Sequence, residues 1–241
     1  MPHRPSVADR LPELVDAAVR VFAAKGYGAT QMADVAAAMG LGAGSLYNYV
    51  ESKEGLFALC LERMMHEGAL RDVALPVAAP PLDVTLTRLR ERAEQSLRLP
   101  ALAAAELGDG PQVGAAEELA AVVSELYELL SRTRLVADMV ERSARDLPAL
   151  ASLFHDEWRT PLFTRLEAYL GSCMDRGWLR RVGDRRVAAR FVVETVTWFA
   201  RHRFHDVDGW ELEDAATQAT VVDLVTGAFL PRMDQEPSGA R

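Results

Sequence analysis

The stretch that decides the fold reads GATQMADVAAAMGLGAGSLYNYVESK and occupies residues 28–53. Its first half predicts a short helix, because apolar residues recur at the spacing i, i+3, i+4 and i+7. These apolar residues are Met32, Val35, Ala36 and Met39. We expect the hydroxyl of Thr30 to cap the start of this helix. We expect Gly40 to end it, because glycine adopts a positive φ readily.

A second short helix is predicted directly after the turn, with Leu46 and Val50 facing inward. The residues expected to face mostly outward are Ala43, Gly44, Tyr47 and Asn48. Ser52 then opens a third helix, which has Lys53 in its first turn. Two helices joined by a four-residue turn that contains glycine are typical of the helix-turn-helix. In that motif the second helix, the recognition helix, lies in the major groove of DNA.

The region from Leu11 to Phe57 resembles the TetR (tetracycline-repressor-like) family of transcriptional regulators. The matching segments are LVDAAVRVFAAKGYGAT (14–30), MADVAAAMGL (32–41), GSLYNYV (44–50) and SKEGLF (52–57), and the region that holds them is about one fifth of the chain. The resemblance implies an all-α fold with a three-helix head that binds DNA. It also implies a carboxy-terminal helical bundle that forms a dimer, with about nine to ten helices in all.

The resemblance further implies which residues contact DNA. The matching positions at the start of the helix that begins near Met32 are Thr30 and Gln31. Those in the first turn of the recognition helix are Ala43, Gly44 and Ser45. Tyr47 and Lys53 match positions that contact phosphates, and Tyr49 matches a position near the DNA backbone. Phosphate contacts fix the register of a protein on DNA, and base contacts carry the sequence information. Asn48 is the best candidate for a base contact, because an amide pairs with N6 and N7 of adenine.

Two positions depart from the family's pattern. Gly42 stands where a serine usually caps the recognition helix, and Ala43 stands where a polar residue is common. Ala43 and Gly44 offer only contact with a thymine methyl group or a close approach of the backbone. We therefore expect few base contacts and more reliance on the shape of the DNA.

The charge of the chain does not by itself indicate a DNA-binding protein. The net charge is −8, and residues 1–71 hold seven Lys and Arg against eight Asp and Glu. A DNA-binding protein needs a basic contact face rather than a basic composition. We expect dimerisation and backbone N–H donors to compensate, because two modest half-sites add and N–H groups contact phosphates without Lys or Arg.

Other functional classes find little support. Cys60 and Cys173 lie singly within predicted helices and are typical of small buried residues. The segment HRFHDVDG (202–209) has histidine and aspartate at a spacing that a transition metal accepts, but histidines at a helix end also suit the helix dipole. No nucleophile elbow, phosphate-binding loop or zinc-ligand spacing is present. We expect no catalytic residue, no bound metal and no cofactor.

The chain is expected to fold in four parts. They are a helix-turn-helix DNA-binding domain at 1–52, a connecting helix at 53–71, a helical ligand-binding and dimerisation domain at 72–230, and a disordered tail at 231–241. Three prolines in residues 72–82 mark the boundary after the connecting helix. No apolar run of 18 residues and no secretory signal is found, so we expect a cytoplasmic protein that does not span a membrane.

Apolar periodicity predicts six further helices and no strand. They cover about 8–25, ended by Gly26, then 82–99, 115–145, 149–176 with a kink at Pro161, 187–204 and 212–230. The last two are apolar around most of their circumference, which is typical of helices buried on more than one side. We expect these two to form a four-helix dimer interface; the alternative is that they are core helices of a monomer.

Aromatic residues near the predicted kink indicate a ligand pocket. The candidate ligand-binding residues are Phe154, Trp158, Tyr169, Trp198 and His202. An aromatic stripe of this kind is also typical of an ordinary core. The pocket is therefore implied by the family resemblance rather than by the spacing of the residues.

We expect a ligand-responsive transcriptional regulator that acts as a homodimer on a palindromic double-stranded operator. The resemblance implies a repressor that a small-molecule effector releases from the DNA. The alternative is a helical module that senses a ligand or a partner without binding a specific DNA sequence. The near-neutral charge of the head and the small residues of its recognition helix favour that alternative.

Overall fold

The computed structural model describes residues 8–65, 70, 73–108, 114–208 and 211–231. These residues form an all-α fold, as predicted, with no strand among them. The α-helices are α1 (Leu11–Ala29), α2 (Met32–Ala38), α3 (Lys53–Met65), α4 (Leu82–Ser96), α5 (Pro100–Leu107), α6 (Ala115–Arg132), α7 (Arg134–Ser143), α8 (Pro148–Ser152), α9 (Thr160–Asp175), α10 (Arg185–Ala200) and α11 (Asp214–Phe229). None of the helices in the described part of the chain is long and apolar enough to cross a membrane.

The contacts divide the chain into two compact units that do not follow sequence order. Unit 1 comprises Met1–Arg98 and Thr133–Arg159, and unit 2 comprises Leu99–Arg132 and Thr160–Arg241. Helices α4 and α7 therefore pack with the amino-terminal head. The division of the chain at 52, 71 and 230 stays a prediction about domains. The predicted tail, apart from Pro231, and the end of the predicted connecting helix beyond Met65, apart from Leu70, lie outside the described residues.

The head is built around one apolar core in unit 1. Helix α1 buries an apolar stripe in this core: Leu11, Leu14, Val15, Ala18 and Phe22. Val35 of α2, together with Leu46 and Val50, closes the same core. The ring of Phe22 lies edge-on to that of Phe57, with 5.0 Å between centroids, and is stacked with that of Tyr27 at 6.3 Å.

Two glycines shape the head through positive φ angles. Gly26 has φ +81° and interrupts α1 where the sequence predicts a helix end. A Cβ at this position would also lie 3.1 Å from Cγ of Arg142, so α7 approaches the glycine closely. Gly40 has φ +64° and ends α2 as predicted. The N–H of Leu41 donates to the carbonyl of Ala36 and that of Gly40 to Ala37, which satisfies the last carbonyls of the helix.

The cap predicted for α2 is wrong by one residue. The hydroxyl of Thr30 donates to the carbonyl of Gly26 at 2.7 Å, and the N-cap is Gln31. The carboxylate of Asp34 accepts the backbone N–H of Gln31 at 2.9 Å in a reciprocal capping box. A glutamine and an aspartate three residues apart therefore perform the task that the sequence assigned to threonine.

Two predicted long helices are broken in the structure. Residues 115–145 form α6 and α7, separated at Thr133, and the two helices belong to different units. Periodicity missed this break because the apolar spacing continues across it. In residues 149–176, a π-helix at Leu153–Arg159 precedes α9, in which Pro161 is the second residue. The irregularity that proline imposes on the helix thus lies in the turns before it.

Unit 2 packs α10 against α6, α9 and α11. Asp184 caps α10, since its carboxylate accepts the N–H groups of Arg186 and Val187. Glu213 caps α11 in the same way. The two helices predicted at 187–204 and 212–230 are therefore present, although the first ends at Ala200 and is followed by a short 3₁₀ helix at His202–His205.

Replacing Phe22 with alanine should destabilise unit 1 by about 3–5 kcal/mol, because the ring is fully buried and its loss leaves a cavity. The measurement is denaturant unfolding followed by circular dichroism. Val84→Ala on α4 is the control; its side chain is 37% exposed, and we expect a cost below about 0.5 kcal/mol. Equal costs for the two variants would contradict the core described here.

Candidate nucleic-acid interface

The recognition helix is a 3₁₀ helix at Ala43–Asn48. It begins after Gly42, and no side chain caps it, as the missing serine predicted. Leu46 is fully buried in the head, whereas Tyr47 is 53% exposed and Asn48 is exposed. The inward and outward faces of this helix therefore agree with the sequence pattern, and a row of polar side chains lies on the surface.

The glycines of this helix leave open space. A Cβ built at Gly42 or Gly44 meets no atom within 4 Å, and neither residue has a positive φ. Neither packing nor backbone geometry thus requires glycine at these positions. Glycine is also used where another molecule approaches the backbone closely, which is the contact expected of the first turn of a recognition helix.

The structure divides the predicted DNA contacts into two groups. The residues with accessible side chains are Gln31, Ser45, Tyr47, Asn48 and, in part, Lys53, and Gly44 is accessible through its backbone. Thr30 is 2% exposed and Tyr49 is 5% exposed, so their side chains belong to the core. A contact of Thr30 or Tyr49 with DNA would have to come from the backbone. Nothing is described for the side chain of Ala43.

Lys53, the first residue of α3, contacts residues 26–31, which we call the link because they run from the interruption of α1 at Gly26 to the start of α2. Its ammonium donates to the carbonyl oxygens of Tyr27 at 3.0 Å and Thr30 at 3.1 Å. It also lies 4.4 Å from the centroid of the Tyr27 ring, at cation–π distance. An ammonium has three N–H donors, so Lys53 has one more to offer beyond these two bonds. The sequence assigned Lys53 to phosphate and did not indicate this structural role.

The first turn of α3 is joined to the same link. The hydroxyl of Tyr27 donates to the carboxylate of Glu54 at 2.8 Å, and Ser52 caps α3 by accepting the N–H of Gly55. The backbone N–H of Glu54, the Tyr27 hydroxyl and Ser52 lower the pKa of the Glu54 carboxyl. Burial and the neighbouring Glu54 raise the pKa of Tyr27 above its ordinary range. Both groups therefore keep their hydrogen-bonding forms at neutral pH.

Two cations of the head are paired with acids of the same head. Lys25 lies 2.7 Å from Asp34, and Arg10 lies 3.2 Å from Glu13. The hydrogen bond from Lys25 is the largest of the causes that lower the pKa of Asp34. These pairs neutralise Arg10 and Lys25, and the third cation of residues 8–38 is the exposed Arg20.

Asp146 is a contact that the sequence did not reveal. It follows α7, and its carboxylate accepts the backbone N–H of Gly28 at 2.7 Å. A Cβ at Gly28 would lie 2.8 Å from the carboxylate, so only glycine permits this approach. The sequence indicated residues 146–148 as a helix break and carried no signal that Asp146 reaches the head.

The five residues predicted for a ligand pocket are found in different surroundings. Phe154 and Trp158 are half-buried against the core of unit 1. In unit 2, Tyr169 is buried and its hydroxyl donates to Glu118 at 3.2 Å, whereas Trp198 is 41% exposed and His202 is exposed. The pocket stays a prediction. Within the described ranges, no group of three His, Cys, Asp or Glu side chains has the arrangement of a metal site.

The comparisons with known proteins agree with this geometry. Residues 14–60 match the family described as bacterial regulatory proteins, tetR family. No curated protein sequence matches the chain.

Three solved structures share its fold. The ketosteroid transcriptional regulator KstR2 of Mycobacterium tuberculosis aligns with a TM-score of 0.59 at 17% identity over 94% of this chain and 98% of that one. A bacterial regulatory protein in the tetR family from Rhodococcus RHA1 aligns with a TM-score of 0.52 at 19% sequence identity over 92% of this chain and 97% of that one. AibR in complex with isovaleryl coenzyme A and operator DNA aligns with a TM-score of 0.51 at 21% sequence identity over 89% of this chain and 97% of that one.

Replacing Tyr27 with phenylalanine should make the stability of the head depend less on pH in the acid range. Glu54 has a lowered pKa, so it stabilises the fold above its unfolded-state pKa of about 4.3. That stabilisation is lost as the pH falls through the lower folded-state value. The variant lacks one cause of the shift, and its melting temperature should fall less between pH 6 and pH 3, about the range in which carboxylates titrate.

The control for this experiment is Tyr47→Phe, which removes a hydroxyl from a side chain that is 53% exposed. It should reproduce the wild-type melting profile across the same pH range. Identical profiles for Tyr27→Phe and the wild type would show that the hydrogen bond to Glu54 does not contribute to stability.

Proposed function

We propose that this chain, whose residues 14–60 match the tetR family of bacterial regulatory proteins, is a ligand-responsive transcriptional repressor. In this proposal it binds a palindromic double-stranded operator as a homodimer in the cytoplasm, and a small molecule releases it. It has no catalytic role. The observation that carries the proposal is the recognition helix: a buried anchor at Leu46 beneath a surface formed by Gly44, Tyr47 and Asn48.

The proposed contacts with DNA use neutral donors for the most part. Gln31, Ser45 and Tyr47 have side chains that donate to phosphate oxygens. The remaining N–H of Lys53 is a further donor. Asn48 reads an adenine through a bidentate pair in the major groove. Because Lys25 is paired with Asp34, direct charge neutralisation contributes less than in a basic DNA-binding domain.

Close approach of the backbone is the second part of this contact. The open space around Gly42 and Gly44 lets the first turn of the recognition helix lie against the groove. With few base contacts available, the shape and deformability of the operator supply much of the sequence preference. The spacing between two recognition helices of a dimer supplies the rest, because half-sites lie one helical turn or a multiple apart.

An exposed apolar stripe on unit 2 supports the homodimer. Val187, Phe191 and Trp198 of α10 are 65%, 46% and 41% exposed and follow each other at intervals of one and two helical turns. Leu224 on the neighbouring α11 is 66% exposed. A second copy of the same surface, related by a two-fold axis, would cover both helices.

The release by a small molecule is proposed by analogy with a regulator of the same fold. AibR has been solved with isovaleryl coenzyme A and operator DNA. In the present chain, the buried Tyr169 of α9 donates to the half-buried Glu118 of α6 within unit 2, and a few polar groups among apolar side chains are typical of ligand sites. An effector would act by binding more tightly to the state that cannot hold DNA.

Replacing Gly44 with leucine should abolish most of the specific DNA binding and leave the fold intact. Leucine is a better helix former than glycine, and a Cβ at this position meets no atom of the protein within 4 Å. It would, however, occupy the space that the DNA needs, and we expect an affinity loss of at least about tenfold, the size of one good base contact. The probe is a duplex that the wild-type protein selects from a random-sequence pool, and binding is measured by fluorescence anisotropy.

Gly183→Leu is the matched control, because this glycine also has open space around it but lies in the loop before α10. The control should bind the selected duplex like the wild type. If the wild-type protein enriches no sequence from the pool, the proposed function is wrong, and the alternative of a sensing module without specific DNA binding replaces it. Equal affinities for Gly44→Leu and the control would show that the first turn of the recognition helix does not contact the DNA.

Replacing Phe191 with glutamate should convert the dimer to a monomer, because it places a charge in the middle of the apolar stripe. Light scattering should give twice the chain mass of 26.5 kDa for the wild type and the single mass for the variant. Val207→Glu is the control, since Val207 is fully exposed outside α10 and α11. A wild-type protein that is monomeric at micromolar concentration would contradict the homodimer.

A further inference from the structure

Residues 73–78, which we call the strap, pack on the head, with a bend at Leu75 and Pro76 and a β-bridge at Val77. Their side chains alternate between the head and the solvent. The half-buried members, packed against the core of unit 1, are Val73, Leu75 and Val77, and the exposed members are Ala74 and Ala78 with Pro76 between them. Such an alternation with a period of two is typical of a strand on an apolar surface. The sequence predicted only a domain boundary in this proline-containing segment.

The backbone of the strap is hydrogen-bonded to the residues that follow the recognition helix. The N–H of Val77 donates to the carbonyl of Tyr49 at 2.7 Å, and the N–H of Glu51 donates to the carbonyl of Val77 at 3.0 Å. These two bonds form an isolated parallel bridge between Val50 and Val77. The recognition helix is therefore held at its end by a segment that is distant in sequence.

Gly55 in the first turn of α3 makes room for the strap. A Cβ at this position would lie 3.1 Å from the carbonyl oxygen of Val77 and 3.4 Å from the carbonyl of Ala78. Helix α3 thus approaches the strap backbone more closely than most Cβ atoms approach a neighbour. Open space surrounds Gly42 and Gly44, so the close approach at Gly55 is a local feature of the strap.

The strap is followed by α4, which packs on the core of unit 1 through Leu86 and Leu89 and also forms two exposed ion pairs. Arg88 donates to Glu62 of α3 at 2.8 Å. Arg90 forms a bidentate pair with Glu157 of the π-helix, at 2.7 and 2.8 Å. A short segment, residues 79–81, separates the strap from α4. A displacement of α4 is therefore transmitted along the chain to the bridge at Val50.

The recognition helix needs an anchor of this kind. It has six residues in 3₁₀ geometry, and runs of that geometry beyond three or four residues are uncommon because their hydrogen bonds are poorly aligned. Burial of Leu46 fixes the middle of the helix, but no side chain caps its start. The bridge to the strap fixes its end.

We propose that the strap is a positioning element for DNA recognition. It orients the recognition helix on the DNA and transmits the position of α4 to it. This inference rests on the proposed function as a DNA-binding regulator. Val77 is the positioning residue, because its N–H and its carbonyl form both hydrogen bonds of the bridge. Gly55 leaves space for the strap backbone against α3.

The test is Val77→Pro, which removes the N–H that donates to Tyr49 and keeps an apolar side chain of similar size. The probes are the duplex selected by the wild-type protein and a scrambled duplex of the same composition. We expect the affinity for the selected duplex to fall about tenfold, the effect of one lost hydrogen bond with its carbonyl left unpaired. The affinity for the scrambled duplex should stay within about twofold, because non-specific binding depends on phosphate contacts.

Hydrogen exchange supplies a measurement that does not involve DNA. The amide of Glu51 should exchange faster in Val77→Pro than in the wild type, because its acceptor on the strap is displaced. Ala79→Pro is the control, since Ala79 is an exposed residue between the strap and α4. The control should retain the wild-type exchange rate and the wild-type preference for the selected duplex.

Gly55→Val perturbs the strap by a substitution in α3. It provides an independent test if the Val77→Pro protein does not fold. Valine is a better helix former than glycine, so α3 should keep its helical content while the added side chain crowds Val77. We expect faster exchange of Glu51 together with weaker binding to the selected duplex. Faster exchange with unchanged binding in either variant would overturn the positioning role. A wild-type protein that selects no sequence would overturn the proposed function itself, and the positioning role with it.

Discussion

The ammonium of Lys53 holds the link between the first two helices by donating to the carbonyl oxygens of Tyr27 and Thr30. Backbone polar groups in a tight link need partners, because an unpaired group away from water costs free energy. Asp146 satisfies the N–H of Gly28 in the same link. The link is thus contacted by α3 through Lys53 and by Asp146, which lies shortly after α7. These contacts set the direction in which α2 leaves the link. The recognition helix follows from α2, so its place on the surface depends on this meeting point.

The same arrangement engages three of the cations of the head within the fold. Lys53 is used in the fold, and Lys25 and Arg10 are paired with Asp34 and Glu13. In the proposed function, a head of this kind would meet DNA with hydroxyl, amide and backbone donors more than with a basic surface. Such contacts depend on distance and direction more than on net charge. The orientation of the recognition helix is therefore of greater consequence than in a strongly basic domain, where electrostatic attraction tolerates small displacements.

Much of the head was predictable from sequence because its determinants are local. Gly40 ends α2 through its positive φ, and Ser52 caps α3. The buried stripe of α1 agrees with its 3.6-residue period. Thr30 was assigned wrongly because several residue types cap helices, and only the fold shows that its hydroxyl is taken by Gly26. The break at Thr133 was missed because the apolar spacing runs through it unchanged.

The sequence by itself determined the all-α class, the helix-turn-helix, its inward residues and its outward face. These features follow from periodicity and from glycine and cap positions, which act over a few residues. Only the tertiary structure decided that Tyr49 and Thr30 belong to the core, that Val77 pairs with Val50, and that Asp146 reaches Gly28 across 118 positions of the chain. Such pairs leave no periodic trace in the sequence, because each depends on how separate helices pack and on the close approach that a single glycine permits.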